Sequence, residues 1–360
     1  MHSKNFEYIP RLDHLRFFAA TIVFYFHMSH FFWLGWKPTS NYAWAGIITE
    51  GHTGVGLFFT LSGFLFMLIA IGSDKINYKK FMTNRILRIF PLFIFVFVIS
   101  ISMSRDVFSG SDIFYVLFSN LGKAPTSNYF ITGAAWTISI EFTFYAVFPF
   151  LAIFAKDRGI KYLIGLIGII LVFKLGAYWE VNASIHMYYS TLLGRFDQFL
   201  IGMIFAMLHH RYKDRLHKMN VWAVMGAAVL VVSSSAVQSA FYPLWHPDLK
   251  HPMWIVWSLQ EATVWGVFIL VWVNARFTIP KVLDRLMLRG GEISFSIYLL
   301  HAVVISLVHK ALGSIEVTGR IELDLIIVGT AVYGLVWLLA SISYETIEKP
   351  FLSLRQRYVR

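Results

Sequence analysis

Residues 11–30 read RLDHLRFFAATIVFYFHMSH. The stretch begins basic, becomes almost wholly apolar, and carries His27 and His30 inside the apolar run. Such a run predicts a membrane-spanning helix, and its reading fixes the class of fold. Arg16 and His27 are eleven residues apart. At ~100° per residue, eleven steps come to about 1100°, within roughly 20° of three whole turns. Both side chains therefore fall on one helix face, ~16 Å apart along the axis. A cation at the mouth of a span and an imidazole deep inside it mark a functional site by default. A His bonded to a neighbouring helix and an Arg snorkelling to headgroups would give the same pattern.

The rest of the chain fits this beginning. It has 360 residues, 57% hydrophobic and only 14% charged, with a mean hydropathy of +0.62. A soluble domain carries about 25% charged residues. The expected fold class is all-α, a polytopic membrane protein of about ten transmembrane helices. The formal charge of +11 reads first as membrane topology rather than as nucleic-acid binding. The absence of cysteine excludes disulfides, thiolate metal sites and a cysteine nucleophile. No small-residue cleavage motif follows the first span, so it is expected to remain as a helix.

Apolar runs predict helices at 15–33, 54–71, 89–103, 136–154, 160–179, 188–208, 221–239, 254–273, 292–312 and 321–345. Counting the first and last three residues of each span with the adjoining segments, 23 Lys and Arg fall in one set of alternate segments and six in the other. The positive-inside rule then predicts both termini in the cytoplasm, in agreement with an even number of spans. Residues 112–121, DIFYVLFSNL, predict a short interfacial helix on the outer side. Residues 122–135 and 240–253 predict irregular outer loops, which either floor an acceptor site or anchor in the aromatic belt.

Topology permits a depth estimate. His27 lies six residues from the outer end of helix 1, and Glu141 five residues from the outer end of helix 4. At ~1.5 Å per residue both sit about 8–9 Å below the outer boundary. Arg195 and Asp197 fall about 10–14 Å below it, Lys174 is near the outer end, and His301 is nearer the middle. Ionisable groups gathered at one depth predict a shared, water-accessible cavity. In it, His27 with Glu141 reads as a general base and its orienting carboxylate. Structural ion pairing between helices is the other reading of Arg195 and Asp197. His27 and His30 are i,i+3 neighbours, but the helix supplies no further metal ligand and no H-E-x-x-H is present, so no metal is expected.

Before helix 3 the chain reads KKFMTNRILRIFP, with Arg85 and Arg88 at i,i+3. If the segment is helical they face one way, and paired guanidiniums suit phosphate, on a ligand or on a lipid headgroup. Gly51, Gly54, Gly56 and Gly63 lie in GHTGVGLFFTLSGF, which lacks GK[ST] and follows no strand. It is neither a P-loop nor a dinucleotide-binding turn, and its small residues suit close helix packing.

Seven motifs, in order, resemble the acyltransferase-3 family of integral membrane acyltransferases. They are R-x10-H at Arg16 and His27, GVGLFFTLSGFL at 54–65, RILRIFP at 85–91, WTISIEFTFYAVFP at 136–149, GRFDQFLIG at 194–202, SFSIYLLH at 294–301, and EKP at 348–350. The family often has ERP at the last of these. The resemblance implies transfer of an acyl group, commonly acetyl from acetyl-CoA, to a hydroxyl of a cell-surface or lipid-linked glycan. It implies His27 as the catalytic histidine with Arg16 its motif partner, Arg85 and Arg88 as the cytoplasmic pair meeting CoA phosphates, and Glu141 as the acidic residue of helix 4. His30, Ser62, Arg195, Asp197 and His301 are the expected supporting residues. Some family members add a soluble esterase-like domain; here a single membrane domain over 1–360 is expected.

The expectation is therefore a multi-pass enzyme of the cell membrane with acyl-CoA, a glycan or glycolipid, and membrane lipids as partners. Neither nucleic acid nor a metal is expected. A proton-coupled transporter using His27 and Glu141 as a relay is the alternative, and it predicts helix breaks at midplane in matched halves, which the sequence lacks. A non-catalytic scaffold leaves the common depth unexplained.

Overall fold

The computed structural model describes residues 5, 7–37, 40–103, 135–180, 185–216, 219–244 and 250–359. Among them ten helical segments are long and apolar enough to cross a membrane, and no strand forms. Helix α1 (Pro10–Ser29) opens on a proline, whose fixed φ and missing N–H suit a first helical position. It runs into a π-helical turn, His30–Leu34, and stops at Gly35, which takes φ +63. A 3-10 turn, Ser40–Ala45, and a helical turn, Gly46–Thr49, lead into α2 (Thr53–Ile71).

Helix α3 (Tyr78–Met103) starts eleven residues earlier than the apolar pattern predicts. The Asn77 side chain accepts from the Lys80 N–H (3.0 Å) and caps it. The basic segment is thus helical, with Pro91 tolerated inside the span. The bundle continues with α4 (Ala135–Arg158), α5 (Ile160–Glu180), α6 (Leu192–Arg211), α7 (Val221–Phe241) and α8 (Trp254–Asn274). Next comes α9 (Lys281–Glu292), an amphipathic helix that the spanning pattern does not reveal. It is followed by α10 (Ser294–Leu312) and α11 (Ile321–Ser343), the latter extended by Tyr344–Glu348 and Lys349–Ser353. The predicted interfacial helix at 112–121 and most of the loop at 122–135 lie outside the described residues.

The centre of the bundle is the packing of α2 on α6. A Cβ at Gly63 would collide with the Phe199 carbonyl, and one at Gly202 with the Thr60 carbonyl. Reciprocal glycines let the two backbones touch, as small residues do between membrane helices. Helix α1 packs alongside, and its Leu15, Ala19 and Val23 join Leu57, Leu61 and Phe64 of α2 in the core. Helix α5 stays peripheral, with only Leu163, Ile167 and Lys174 buried. The two chain ends meet: the Tyr358 N–H donates to the Asn5 side chain (2.7 Å). The bundle therefore has a terminal end, which holds both chain ends, and an opposite end.

Candidate active site

Two adjoining cavities open from the terminal end. The larger, about 440 Å³, is lined by Arg16, Arg85, Arg88, Arg289 and Arg355 together with Tyr8, Tyr344 and Tyr358. The smaller, about 110 Å³, shares Arg16, Leu65, Phe66, Arg85 and Arg88 with it and reaches Ser62, Thr137, Glu141, Tyr145 and Tyr298. Because α3 is helical here, Arg85 and Arg88 lie one turn apart and line both cavities. The Arg85 guanidinium sits over the rings of Phe66 (5.0 Å), Phe81 (5.5 Å) and Tyr145 (5.7 Å). Arg16 pairs with Asp13, which also accepts from Tyr8.

Glu141 faces the smaller cavity. Its Oε1 accepts from Ser62 (3.3 Å) and from Tyr145, and it lies in the field of Arg85 and Arg88. His27 meets a different partner from the expected Glu141. Its Nδ1 is 2.9 Å from the Val23 carbonyl and 3.1 Å from Nε2 of His301. His301 in turn places Nδ1 3.2 Å from the Ile297 carbonyl. An imidazole nitrogen facing a carbonyl must carry the proton, so His301 is protonated at Nδ1 and offers the lone pair of Nε2. His27 then donates Nδ1–H towards both acceptors, which leaves the lone pair on its own Nε2. The His27 side chain is only partly buried, whereas His301 is 1% exposed. Tyr298, one helical turn before His301, lines the smaller cavity and bonds Thr137 (3.0 Å), so it joins the cavity to the histidine pair.

His30 takes a structural position. Its ring nitrogens face the carbonyls of Gly35 and Thr49, and its ring stacks on Trp36. Arg195 is fully buried, bonded to the Tyr189 carbonyl (2.7 Å) and paired with Glu261 (3.1 Å), beneath the Trp257 ring. Asp197 pairs instead with Lys174 (2.7 Å), and Ser258 bridges the two. The residues predicted at one depth thus form separate polar islands. Counting residues gives depth along an axis, whereas the rotation of each helix decides which neighbour a side chain meets.

Three groups escaped the sequence reading. Glu261 lies in the apolar run WSLQEATVW, and its charge there was the available signal. Glu50 and His52 form a buried acid–imidazole pair (3.0 Å), in which Glu50 also accepts from the Leu244 N–H (3.1 Å). Arg355 had registered only as one of many loop cations. Among the described residues no three of His, Cys, Asp or Glu gather as a metal site.

The bundle thus holds a cationic cavity, with a partly exposed imidazole beyond it. The chain belongs to the acyltransferase-3 family, whose model, described as an acyltransferase domain, matches residues 9–344. It is similar, at 30% identity over 206 residues, to an uncharacterized protein of Haemophilus influenzae, covering 48% of this chain and 83% of that one. It is also similar to the O-acetyltransferase OatA of Staphylococcus aureus, with 26% identity over 382 residues, 96% of this chain and 57% of OatA. A putative O-acetyltransferase of the same species gives 25% identity over 390 residues, covering 97% of this chain and 58% of that protein. The chain thus spans under two thirds of the length of both staphylococcal relatives. No solved structure matches.

Proposed function

We propose that the protein is a membrane O-acyltransferase that moves an acetyl group from cytoplasmic acetyl-CoA to a hydroxyl of a cell-surface or lipid-linked glycan. The observation that carries this is the cationic cavity at the terminal end, adjoined by a narrower one lined by Tyr298, whose ring lies 5.9 Å from that of His301. The excess of Lys and Arg on the side of the chain ends supports a cytoplasmic terminal end. The names of the staphylococcal relatives support acetyl transfer to oxygen.

In this reading Arg85 and Arg88, helped by Arg16, hold the donor phosphates as guanidinium forks. The pantetheine arm extends past Ser62 and Tyr298 towards His27. The free lone pair of His27 Nε2 accepts the proton of the acceptor hydroxyl as its oxygen attacks the thioester carbonyl. The carbon–sulfur bond breaks, and the proton passes to the departing thiolate. An acyl-histidine formed first is the other route open to the same atom. His301 replaces the expected carboxylate as the group that orients His27, and Glu141 acts in the donor cavity beside Arg85 and Arg88. Purified protein incubated with labelled acetyl-CoA and a glycan extract should yield labelled glycan. Absence of label in both glycan and water-hydrolysed acetate would overturn the proposal.

A further inference from the structure

We infer that Arg355 is a further ligand for the phosphates of the donor, and that the segment 354–359 is built as one wall of the donor cavity. The inference rests on the donor reading above and extends it to a residue outside the seven motifs.

Arg355 lines the larger cavity together with Arg85 and Arg88. It follows the last helical turn, and its Nε donates to the Leu352 carbonyl (3.1 Å). The segment beyond it is fastened at several points to the start of α3, the helix that carries the arginine pair. The Asn84 side chain donates to the Gln356 carbonyl (2.7 Å) and accepts from the Gln356 N–H (2.9 Å). The Asn77 N–H donates to the Tyr358 carbonyl (2.8 Å), and Ile76 bridges Val359. Tyr358 is 3% exposed, with its ring on Phe81 (5.2 Å). Asn84 directly precedes Arg85 and stands about one turn before Arg88, so these bonds fix Arg355 against that pair.

Arg85 and Arg88 ask for an anion. Carboxylates answer Arg16, through Asp13, and Arg289, through Glu292 and Glu345. Among the described residues none forms an ion pair with Arg85 or Arg88. Burial, and then the guanidiniums of Arg88 and Arg85, pull the Arg355 group down to about 10, so it stays charged near neutrality while crowded by like charges. Like charges held together in a half-closed cavity cost free energy that a multiply charged phosphate ester would offset. A diphosphate with a separate ribose phosphate, as CoA carries, can engage several forks at once.

The test is titration of CoA and of dephospho-CoA into the full chain in nanodiscs, with and without anionic lipid. Arg355→Gln should weaken CoA binding tenfold or more, since a hydrogen bond to a charged group is worth about that. Arg357→Gln, an exposed neighbour outside the cavity lining, should leave it unchanged. Asn84→Ala, which unfastens the wall while keeping Arg355, should weaken it several-fold and add little to Arg355→Gln. Arg355→Lys, a point charge in place of a fork, should fall between and supplies the reading if the Gln variant does not fold. Equal CoA affinity for wild type, Arg355→Gln and Arg355→Lys would overturn the inference, as would a change confined to retention of anionic lipid. Equal losses in Arg355→Gln and Arg357→Gln would reduce the effect to general charge and overturn it too. Failure of wild type to bind CoA at all would instead overturn the donor reading on which it stands.

Discussion

Arg85 and Arg88 at the terminal end and Arg195 deeper in the bundle are all arginines on spanning helices, yet they are treated oppositely. Arg195 is fully enclosed, its charge answered by Glu261 and its guanidinium roofed by Trp257. Arg85 and Arg88 border open cavities; Arg85 lies over aromatic faces, and among the described residues neither forms an ion pair with a carboxylate. A buried cation neutralised from within is committed to the fold, because removing either partner strands the other. A cation left facing an open cavity is available to an anion from outside. The lesson is that partners, more than depth, separate structural from binding charges in a membrane bundle.

Changes at four places test that contrast, in falling order of expected effect. His27→Ala should lower acetyl transfer about 10²–10⁴-fold while CoA affinity is retained, as for loss of a general base or nucleophile. A wild-type rate in the purified variant would remove His27 from the chemistry. Arg195→Ala should cost about 3–5 kcal/mol of stability by stranding Glu261, read as a large fall in melting temperature or loss of folded protein in detergent. A paired Arg195→Met, Glu261→Leu exchange should recover much of it, and if the single variant melts like wild type, the island is not structural.

Arg85→Ala and Arg88→Ala should do the reverse, leaving the melting temperature of the unliganded protein nearly unchanged while weakening CoA binding roughly tenfold each. Added salt should weaken the wild type in the same direction. Loss of fold without loss of affinity would blur the contrast between the two regions. The smallest effect is expected for Glu141→Gln, which keeps the Ser62 and Tyr145 contacts in shape but removes a charge beside the donor arginines. It should change the acetyl-CoA KM more than kcat. A collapse of kcat at unchanged KM would return Glu141 to the orienting role that its sequence position suggested.

Much of this architecture was legible beforehand. Each of the ten spans is an apolar run of about the length a bilayer demands, so each registers in the sequence alone. The early start of α3 did not register, because Lys79, Lys80, Arg85 and Arg88 make its first turns polar and the cap at Asn77 is a single residue. Helix α9 was hidden for a related reason: one polar face spoils a spanning pattern. At the site, the types of residue were readable and their pairings were not. His27 could be singled out from its neighbours, but the imidazole opposite it lies 274 positions later in the chain. Nothing in linear spacing sets the rotation of α10 that brings His301, rather than Glu141, to meet it.

The joining of Asn5 to Tyr358 has a consequence for biosynthesis. The wall that carries Arg355 is anchored both to the first residues of the chain and to the start of α3. The segment around residue 359 must have been synthesised, and the tenth span inserted, before that wall can close. Until then α3 presents its arginines to a cleft that is open on one side. The cavity is therefore completed only after the tenth span has been made, and a nascent bundle with nine spans in the bilayer would display the histidine helix without a finished pocket to feed it.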